Sequence, residues 1–217
     1  MAEKCVLIDY GSGNLRSAEK ALIRAASDAG LQRDIVVTND PERVCKADRV
    51  ILPGVGAFAD CRKGLLSIDG MKDALDEVVR VQGRPFLGIC VGMQLMAAEG
   101  HEFGVHKGMH WVNSTVKPLA LPPQFKVPHM GWNNLQLSTA GHEHPVVGAL
   151  NSGDHVYFVH SYHMEMDAGE TPLATVDYGQ PITAVVGRDN VIGSQFHPEK
   201  SQTAGLKFLA AFLKWSV

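Results

Sequence analysis

An α/β fold, with a mostly parallel, helix-flanked sheet and added antiparallel strands in the C-terminal half, is predicted by three features of this 217-residue sequence. Short uninterrupted apolar runs recur through the first half, and amphipathic helical stretches separate them. After about residue 100 the pattern changes to shorter alternating strands with frequent turn signals. Hydrophobic residues make up 45% of the chain and charged residues 20%, which suffices for a sizeable core and excludes a disordered or low-complexity chain. One core commonly serves chains of up to about 250 residues, so residues 1–217 are expected to form one domain.

Val6-Leu7-Ile8 reads as the first strand and ends at Gly11-Ser12-Gly13. Leu15, Ala18, Leu22, Ala25, Ala26 and Ala29 then share one helical face before Gly30, a C-cap signal. Ile35-Val36-Val37, Val50-Ile51-Leu52 and Phe86-Leu87-Gly88-Ile89 repeat the apolar strand pattern. Leu121-Pro122-Pro123 breaks the chain, and Gly141, Gly153, Gly179 and Asp189-Asn190 mark turns between the later strands. Ala204, Leu206, Phe208, Leu209, Phe212 and Leu213 predict a closing helix packed on the sheet.

Charge and cysteine usage narrow the function classes. Lys and Arg number 20 against 23 Asp and Glu, for a net charge of -3 with no basic run, so nucleic acid is not an expected partner. The apolar run Cys5–Ile8 is broken by Asp9, too short for a signal-peptide core or a membrane span, and a cytoplasmic location is expected. Cys5, Cys45, Cys61 and Cys90 show no C-x-x-C spacing. All are expected as reduced thiols, the first three with packing roles.

Gly11-x-Gly13 follows a strand, but Arg16 occupies the third small position that a dinucleotide fingerprint needs. His142-Glu143-His144 and His160-x-x-His163 lack a complete metal-ligand set, so no metal and no cofactor are expected. The informative segment is Pro85–Gln94, where an apolar strand runs into Gly88-Ile89-Cys90-Val91-Gly92 and then into a helical stretch. That is the cysteine form of a nucleophile elbow. It predicts a thiol exposed at a helix N-terminus, with the Val91 amide placed for an oxyanion. Gln195-Phe196-His197-Pro198-Glu199 follows a second apolar strand at Val191-Ile192. An extended His-x-Glu lets Glu199 orient His197, which then takes a proton from Cys90. Pro53-Gly54-Val55-Gly56 ends another strand, and its glycines permit the Val55 peptide to rotate and present a second oxyanion donor. Together these parts point to acyl transfer at a carbonyl.

With those residues in hand, the chain resembles the class I glutamine amidotransferases over essentially its whole length. Ile8–Ser17, Pro53–Phe58, Pro128–Asn133 and Tyr157–Tyr162 are similar to the branch whose glutaminases serve imidazole glycerol phosphate synthesis, in histidine biosynthesis. The resemblance implies hydrolysis of L-glutamine through a Cys thioester, with Cys90 as nucleophile, His197 as base then acid, and Glu199 as orienting carboxylate. It assigns the fixed oxyanion donor to the Val91 amide and the switchable one to Val55. It places Gly54, Gly56, Gln94, Glu99, Ser161 and Tyr162 around the glutamine. It also implies a (β/α)8-barrel cyclase partner that receives the ammonia, in a 1:1 pairing of chains, with Asn14, Met130, Trp132 and Lys200 at the interface. Two alternatives remain open on sequence alone: the glutaminase subunit of another synthase, and a catalytically silent glutamine-sensing scaffold of the same fold.

Overall fold

A computed structural model of the chain describes residues 2–217. Its first half follows a strand-helix alternation: β1 (Glu3–Ile8), α1 (Leu15–Asp28), β2 (Arg33–Thr38), α2 (Pro41–Cys45), β3 (Arg49–Gly54), α3 (Phe58–Leu66), α4 (Met71–Leu75), a π-helical turn at Asp76–Val81, then β4 (Phe86–Cys90) and α5 (Val91–Gln94). The second half supplies β5 (Glu99–Gly100), β6 (His106–Lys107), β7 (Ser114–Pro118), β8 (His129–Leu137), α6 (Thr139–Glu143), β9 (His155–His160), β10 (Tyr162–Met166), β11 (Ala174–Asp177), β12 (Pro181–Arg188), β13 (Val191–Ser194) and α7 (Gln202–Lys214).

The main sheet has nine strands in the order β2-β1-β3-β4-β13-β12-β11-β8-β9. The pairings from β2 through β13 are parallel, and those from β13 to β9 are antiparallel. The predicted sheet class therefore holds, with antiparallel strands extending one edge. A second sheet of four short strands, β10-β7-β5-β6, flanks it. All residues of β3, β4 and β13 are buried, which is why these strands read as continuous apolar runs rather than alternating ones.

α1 turns Ala18, Leu22, Ala25 and Ala26 into the core. It ends as the sequence predicts: Leu31 N–H reaches Ala26 O at 2.9 Å and Gly30 N–H reaches Ser27 O at 3.0 Å, with Gly30 at φ +67°, the paired bonds of a Schellman end. α7 packs against α1 and buries Phe208, Leu209, Phe212 and Leu213. Cys5 and Cys61 are buried, as packing roles require, whereas Cys45 is only partly so, and all four thiols are free. Among the described residues no helix is long and apolar enough to cross a membrane.

Three glycines set how closely the strands approach at the sheet's C-terminal edge. A Cβ on Gly92 would lie 1.9 Å from Leu52 O, one on Gly88 2.6 Å from Gly92 O, and one on Gly54 2.7 Å from Gly92 N. No side chain fits there, so the backbone after β4 folds directly onto β3. Gly92→Ala is expected to lower stability by at least about 2 kcal/mol through overpacking, read as a lower denaturant midpoint. An unchanged midpoint would show that the elbow can relax away from β3.

Candidate active site

β3, β4 and β13 lie side by side, and their C-terminal ends carry the three segments that the sequence singles out. Gly54 pairs with Cys90 across β3 and β4, and Ile89 pairs with Ser194 across β4 and β13. Val55, Cys90 and the Gln195–His197 segment consequently emerge at one edge of the sheet, where open α/β sheets form their clefts. Cys90 sits at φ +54°, ψ -111°, a backbone conformation that a non-glycine residue rarely adopts and that marks functional turns. The elbow is therefore present. The helix after it is short: α5 is a single turn, and the chain leaves it to join the small sheet, with Ala98 N–H bonded to Ser114 O. The unpaired backbone amides of that turn, rather than a long helix dipole, are what it offers an oxyanion.

The thiol is not exposed as expected: Cys90 is 4% exposed and lies at the floor of a cleft of about 300 Å³, together with Val55, Gly56, Val91, Gln94, Glu102, Pro128, Val159, His160, Ser161, Tyr162 and His197. A smaller cavity of about 140 Å³ between Leu65, Leu75 and Trp111 has no thiol, hydroxyl or imidazole in its lining, so thiol chemistry belongs to the first.

His197 is buried and its Nδ1 lies 2.8 Å from Glu199 Oε1. The His-x-Glu segment is not extended as expected. His197 is extended, but Pro198–Lys200 forms a 3-10 turn, and the turn that Pro198 starts brings the carboxylate back onto the ring. Burial lowers the imidazole's pKa, yet the attraction of the neighbouring Cys90 and Glu199 for its proton outweighs it and raises it to about 10. Nε2 is near enough to the thiol to feel it but makes no aligned hydrogen bond and has no other protein partner. It is the nitrogen left to move a proton.

The Val55 amide does not point into the cleft. Its N–H donates to Ser12 Oγ at 3.1 Å, and the Ser12 hydroxyl donates to Val55 O at 2.6 Å. Cys61 Sγ also reaches Val55 O at 3.3 Å. One side chain thus holds both ends of the Val55 residue, while Gly56 beside it sits at φ +103°.

Gln94, Gly56, Ser161 and Tyr162 line the cleft, but two expected glutamine contacts do not. Gly54 lies behind it, packed on Gly92 and the Tyr10 hydroxyl, in a hollow shared with Asn14, His197 and Glu199. Glu99 stands on the two-residue β5, paired to Lys107, with its carboxylate 2.7 Å from His101 Nε2. The chain turns after Gly100, and Glu102 is the carboxylate that faces the cleft, accepting the Phe58 N–H. Of the expected interface residues, Met130 and Trp132 are 64% and 47% exposed. Lys200 Nζ lies 5.5 Å above the Tyr157 ring, and the Trp132 ring meets the same ring edge-on at 6.0 Å. Among the described residues no group of three or more His, Cys, Asp or Glu is arranged to hold a metal.

A run of hydrogen bonds that the sequence reading did not assign passes behind the cleft. Asn133 Nδ2 meets His129 Nε2 at 3.3 Å, His129 Nδ1 meets His160 Nε2 at 3.0 Å, and His160 Nδ1 meets Tyr162 O at 2.9 Å. A carbonyl only accepts, so His160 carries its proton on Nδ1, and each ring in turn donates through Nδ1. Burial keeps both rings neutral, pushing His129 down to about 4 and His160 to about 3. The signal in the sequence was a histidine at the start of β8 and another at the end of β9, which pair directly across the two strands.

With the geometry established, the sequence matches the family described as "Glutamine amidotransferase class-I" over residues 6–215. It is 57% identical over 214 residues to the imidazole glycerol phosphate synthase subunit HisH of Rhodospirillum rubrum, covering 98% of this chain and 99% of that protein. It is 54% identical to the protein of the same name from Rhodopseudomonas palustris, covering 96% and 97%. Among solved structures, the glutaminase domain of a Trypanosoma brucei CTPS with bound acivicin superposes with a TM-score of 0.67 at 17% identity, covering 100% of this chain and 96% of that one. A crystal structure of a glutamine amidotransferase gives 0.69 at 19%, covering 97% and 99%. At these identities the structural likeness is one of fold.

The buried neutral histidines predict an acid limit to stability. Their folded pKa values lie below the ordinary 6.5, so the unfolded chain binds protons first and stability falls as pH drops from about 6.5 toward 4. His197 acts in the opposite sense: its raised pKa stabilises the fold at neutral pH, and that contribution fades as pH rises toward 10. Unfolding midpoints of the parent and of His129→Asn across pH 4–8 test this. The variant should show a shallower acid slope, and parallel curves would remove His129 from the effect.

Proposed function

The chain belongs to the class-I glutamine amidotransferase family, and on that basis we propose that Cys90, His197 and Glu199 form its catalytic triad. It is a glutaminase subunit of imidazole glycerol phosphate synthase, hydrolysing glutamine to glutamate and ammonia for histidine biosynthesis. The observation that carries the triad is the meeting of Cys90, at a positive-φ elbow, with a His197 ring that Glu199 orients at 2.8 Å in the same cleft.

In the reaction, Cys90 Sγ attacks the side-chain amide carbon of glutamine, and the carbonyl electrons move onto oxygen, where the Val91 N–H receives them. The thiol proton passes through His197 Nε2 to the amide nitrogen, which leaves as ammonia while a thioester remains. Water then attacks the thioester with His197 as base, and collapse expels the Cys90 thiolate and glutamate. Gln94, Ser161, Tyr162, Gly56 and Glu102 surround the substrate, Glu102 replacing Glu99 in that role. The raised pKa of His197 lets it keep a proton until the leaving nitrogen takes it.

The partner in this reading is a (β/α)8-barrel cyclase subunit that receives the ammonia. Met130, Trp132 and Lys200 offer it an exposed apolar and aromatic surface with one cation, and Asn14 lies behind the Val55 peptide on the triad's side. The second oxyanion donor is stored: Ser12 holds the Val55 N–H away from the cleft, and partner contact turns it inward. Residues 1–217 act as one domain, which a core continuous from Cys5 to Trp215 supports.

Cys90→Ser and His197→Asn should each lower glutamine hydrolysis by at least about 10²-fold, while the complex still uses added ammonium salts. Glu199→Gln should retain part of the activity and move the alkaline limb of the kcat/KM profile to lower pH, because the charge that raises His197 is gone. Parent-like hydrolysis by Cys90→Ser would place the nucleophile elsewhere.

Removing the latch tests the stored donor. Since one oxyanion donor is worth about 10² to 10³ in turnover, Ser12→Ala should raise hydrolysis by the isolated subunit and narrow its gap to the partner-bound form. An isolated parent subunit already as fast as the complex would refute the switch.

A further inference from the structure

Gln195 is fully buried one residue beyond β13, between the nucleophile and the residues that face the substrate. Its Nε2 donates to Cys90 Sγ at 3.7 Å, within the longer reach of sulfur. Its Oε1 accepts from Gln94 Nε2 at 3.0 Å, and the same Gln94 nitrogen donates to Tyr162 O at 3.0 Å.

The partners fix which way both amides face. Tyr162 O can only accept, so the Gln94 atom beside it is the nitrogen. That nitrogen needs an acceptor for its second hydrogen, which makes the Gln195 atom it meets the oxygen. The Gln195 nitrogen is then left facing Cys90. Both Gln94 hydrogens are used within the protein, so Gln94 meets the substrate through Oε1, an acceptor suited to an α-ammonium group. An apolar side chain there would leave the second Gln94 hydrogen without an acceptor, and the other polar atom that Gln195 brings is the N–H facing the Cys90 sulfur.

Resting on the triad reading above, we propose that Gln195 is a positioning residue for the glutaminase reaction: its N–H holds the Cys90 sulfur in place and favours the thiolate, and Gln94 locks it in that orientation. A thiolate is a better acceptor than a thiol, so the bond strengthens as the nucleophile forms. Because Gln94 also faces the substrate, ammonium binding at its Oε1 polarises its N–H toward Gln195, whose own N–H in turn polarises toward the sulfur. Substrate binding and nucleophile activation then share one chain of three groups. Tyr162 O is also the acceptor for His160 Nδ1. The same carbonyl therefore anchors the histidine string that begins on β8, the strand bearing Met130 and Trp132. The titratable groups around Cys90 are His197 beyond β13, His160 at the end of β9, Glu102 after β5, and Tyr10 and Cys61 behind the Val55 peptide. Gln195 is the neutral donor among them.

The test compares parent, Gln195→Met and Gln195→Glu in the full-length chain with its partner, after thermal unfolding shows which variants fold. Two quantities are read: steady-state kcat and KM for glutamine, and the pH dependence of Cys90 alkylation by iodoacetamide, followed on the Cys90 peptide by mass spectrometry. Loss of a hydrogen bond to a charged acceptor should move the alkylation midpoint of Gln195→Met up by about one pH unit. It should also lower kcat by about 10-fold with a smaller change in KM. Gln195→Glu keeps the shape and places a carboxylate beside the thiolate, so its shift should be larger. Gln94→Leu, which unlocks the amide without touching sulfur, should reproduce part of the shift. A parent-like alkylation profile in both Gln195 variants overturns the proposal, as does a loss of kcat without any change in that profile. An inactive Cys90→Ser beside unaltered Gln195 variants overturns this proposal alone, whereas an active Cys90→Ser overturns the triad on which it rests.

Discussion

The parallel pairing of β13 with β4 is the constraint on which the site depends. It joins segments about a hundred residues apart in the chain, Phe86–Ile89 and Val191–Ser194, and places the turn bearing Cys90 beside the segment bearing Gln195 and His197. Hydrogen-bonded register is discrete, and a slip of one residue would point Gln195 and His197 to opposite faces from those they occupy. The close backbone contacts among Leu52, Gly54, Gly88 and Gly92 add a second clamp from the β3 side. The elbow is held from both flanks, which is how a strained φ at Cys90 persists without a glycine there.

Around this frame the molecule separates charged from neutral polar groups by what encloses them. His197 sits against a carboxylate and a thiol, and its imidazolium is favoured despite burial. His129 and His160 are buried without a carboxylate, with His129 stacked on Phe158 at 4.7 Å and Tyr178 at 4.0 Å, and both stay neutral. The same side chain thus serves as proton carrier in one place and as a fixed donor-acceptor link in the other. The difference lies in the partner rather than in depth.

Two polar devices reach the nucleophile from opposite sides. On the β3 side, the Ser12 hydroxyl holds the Val55 residue at both its N–H and its C=O. On the β13 side, Gln195 ties Cys90 to Gln94 and through Tyr162 O to the histidine pair. The first is exposed and made of single neutral bonds, so a modest contact can exchange it. The second is buried, where an unpaired polar atom is costly, and it therefore behaves as a rigid link. The exposed Met130 and Trp132 stand on β8, the strand from which the buried link starts.

Local pattern determined much of this protein from its sequence. The apolar runs at Val6–Ile8, Val50–Leu52 and Phe86–Ile89, the helix from Leu15 ending at Gly30, and the closing helix over Phe208–Leu213 are each set by neighbours within a few residues, so periodicity and caps reveal them. The elbow at Cys90 and the proximity of His197 to Glu199 are legible for the same reason. Register, turn length and side-chain direction between distant segments were decided only by tertiary structure. That is why α5 stops after one turn, why Pro198–Lys200 curls instead of extending, and why Glu102 rather than Glu99 faces the cleft. Ser12 and Gln195 stood in plain view in the sequence, Gln195 as a polar residue closing an apolar run. Their partners are Val55, Cys90 and Gln94, 43, 105 and 101 positions away, and a hydrogen bond over such a separation has no local pattern to announce it.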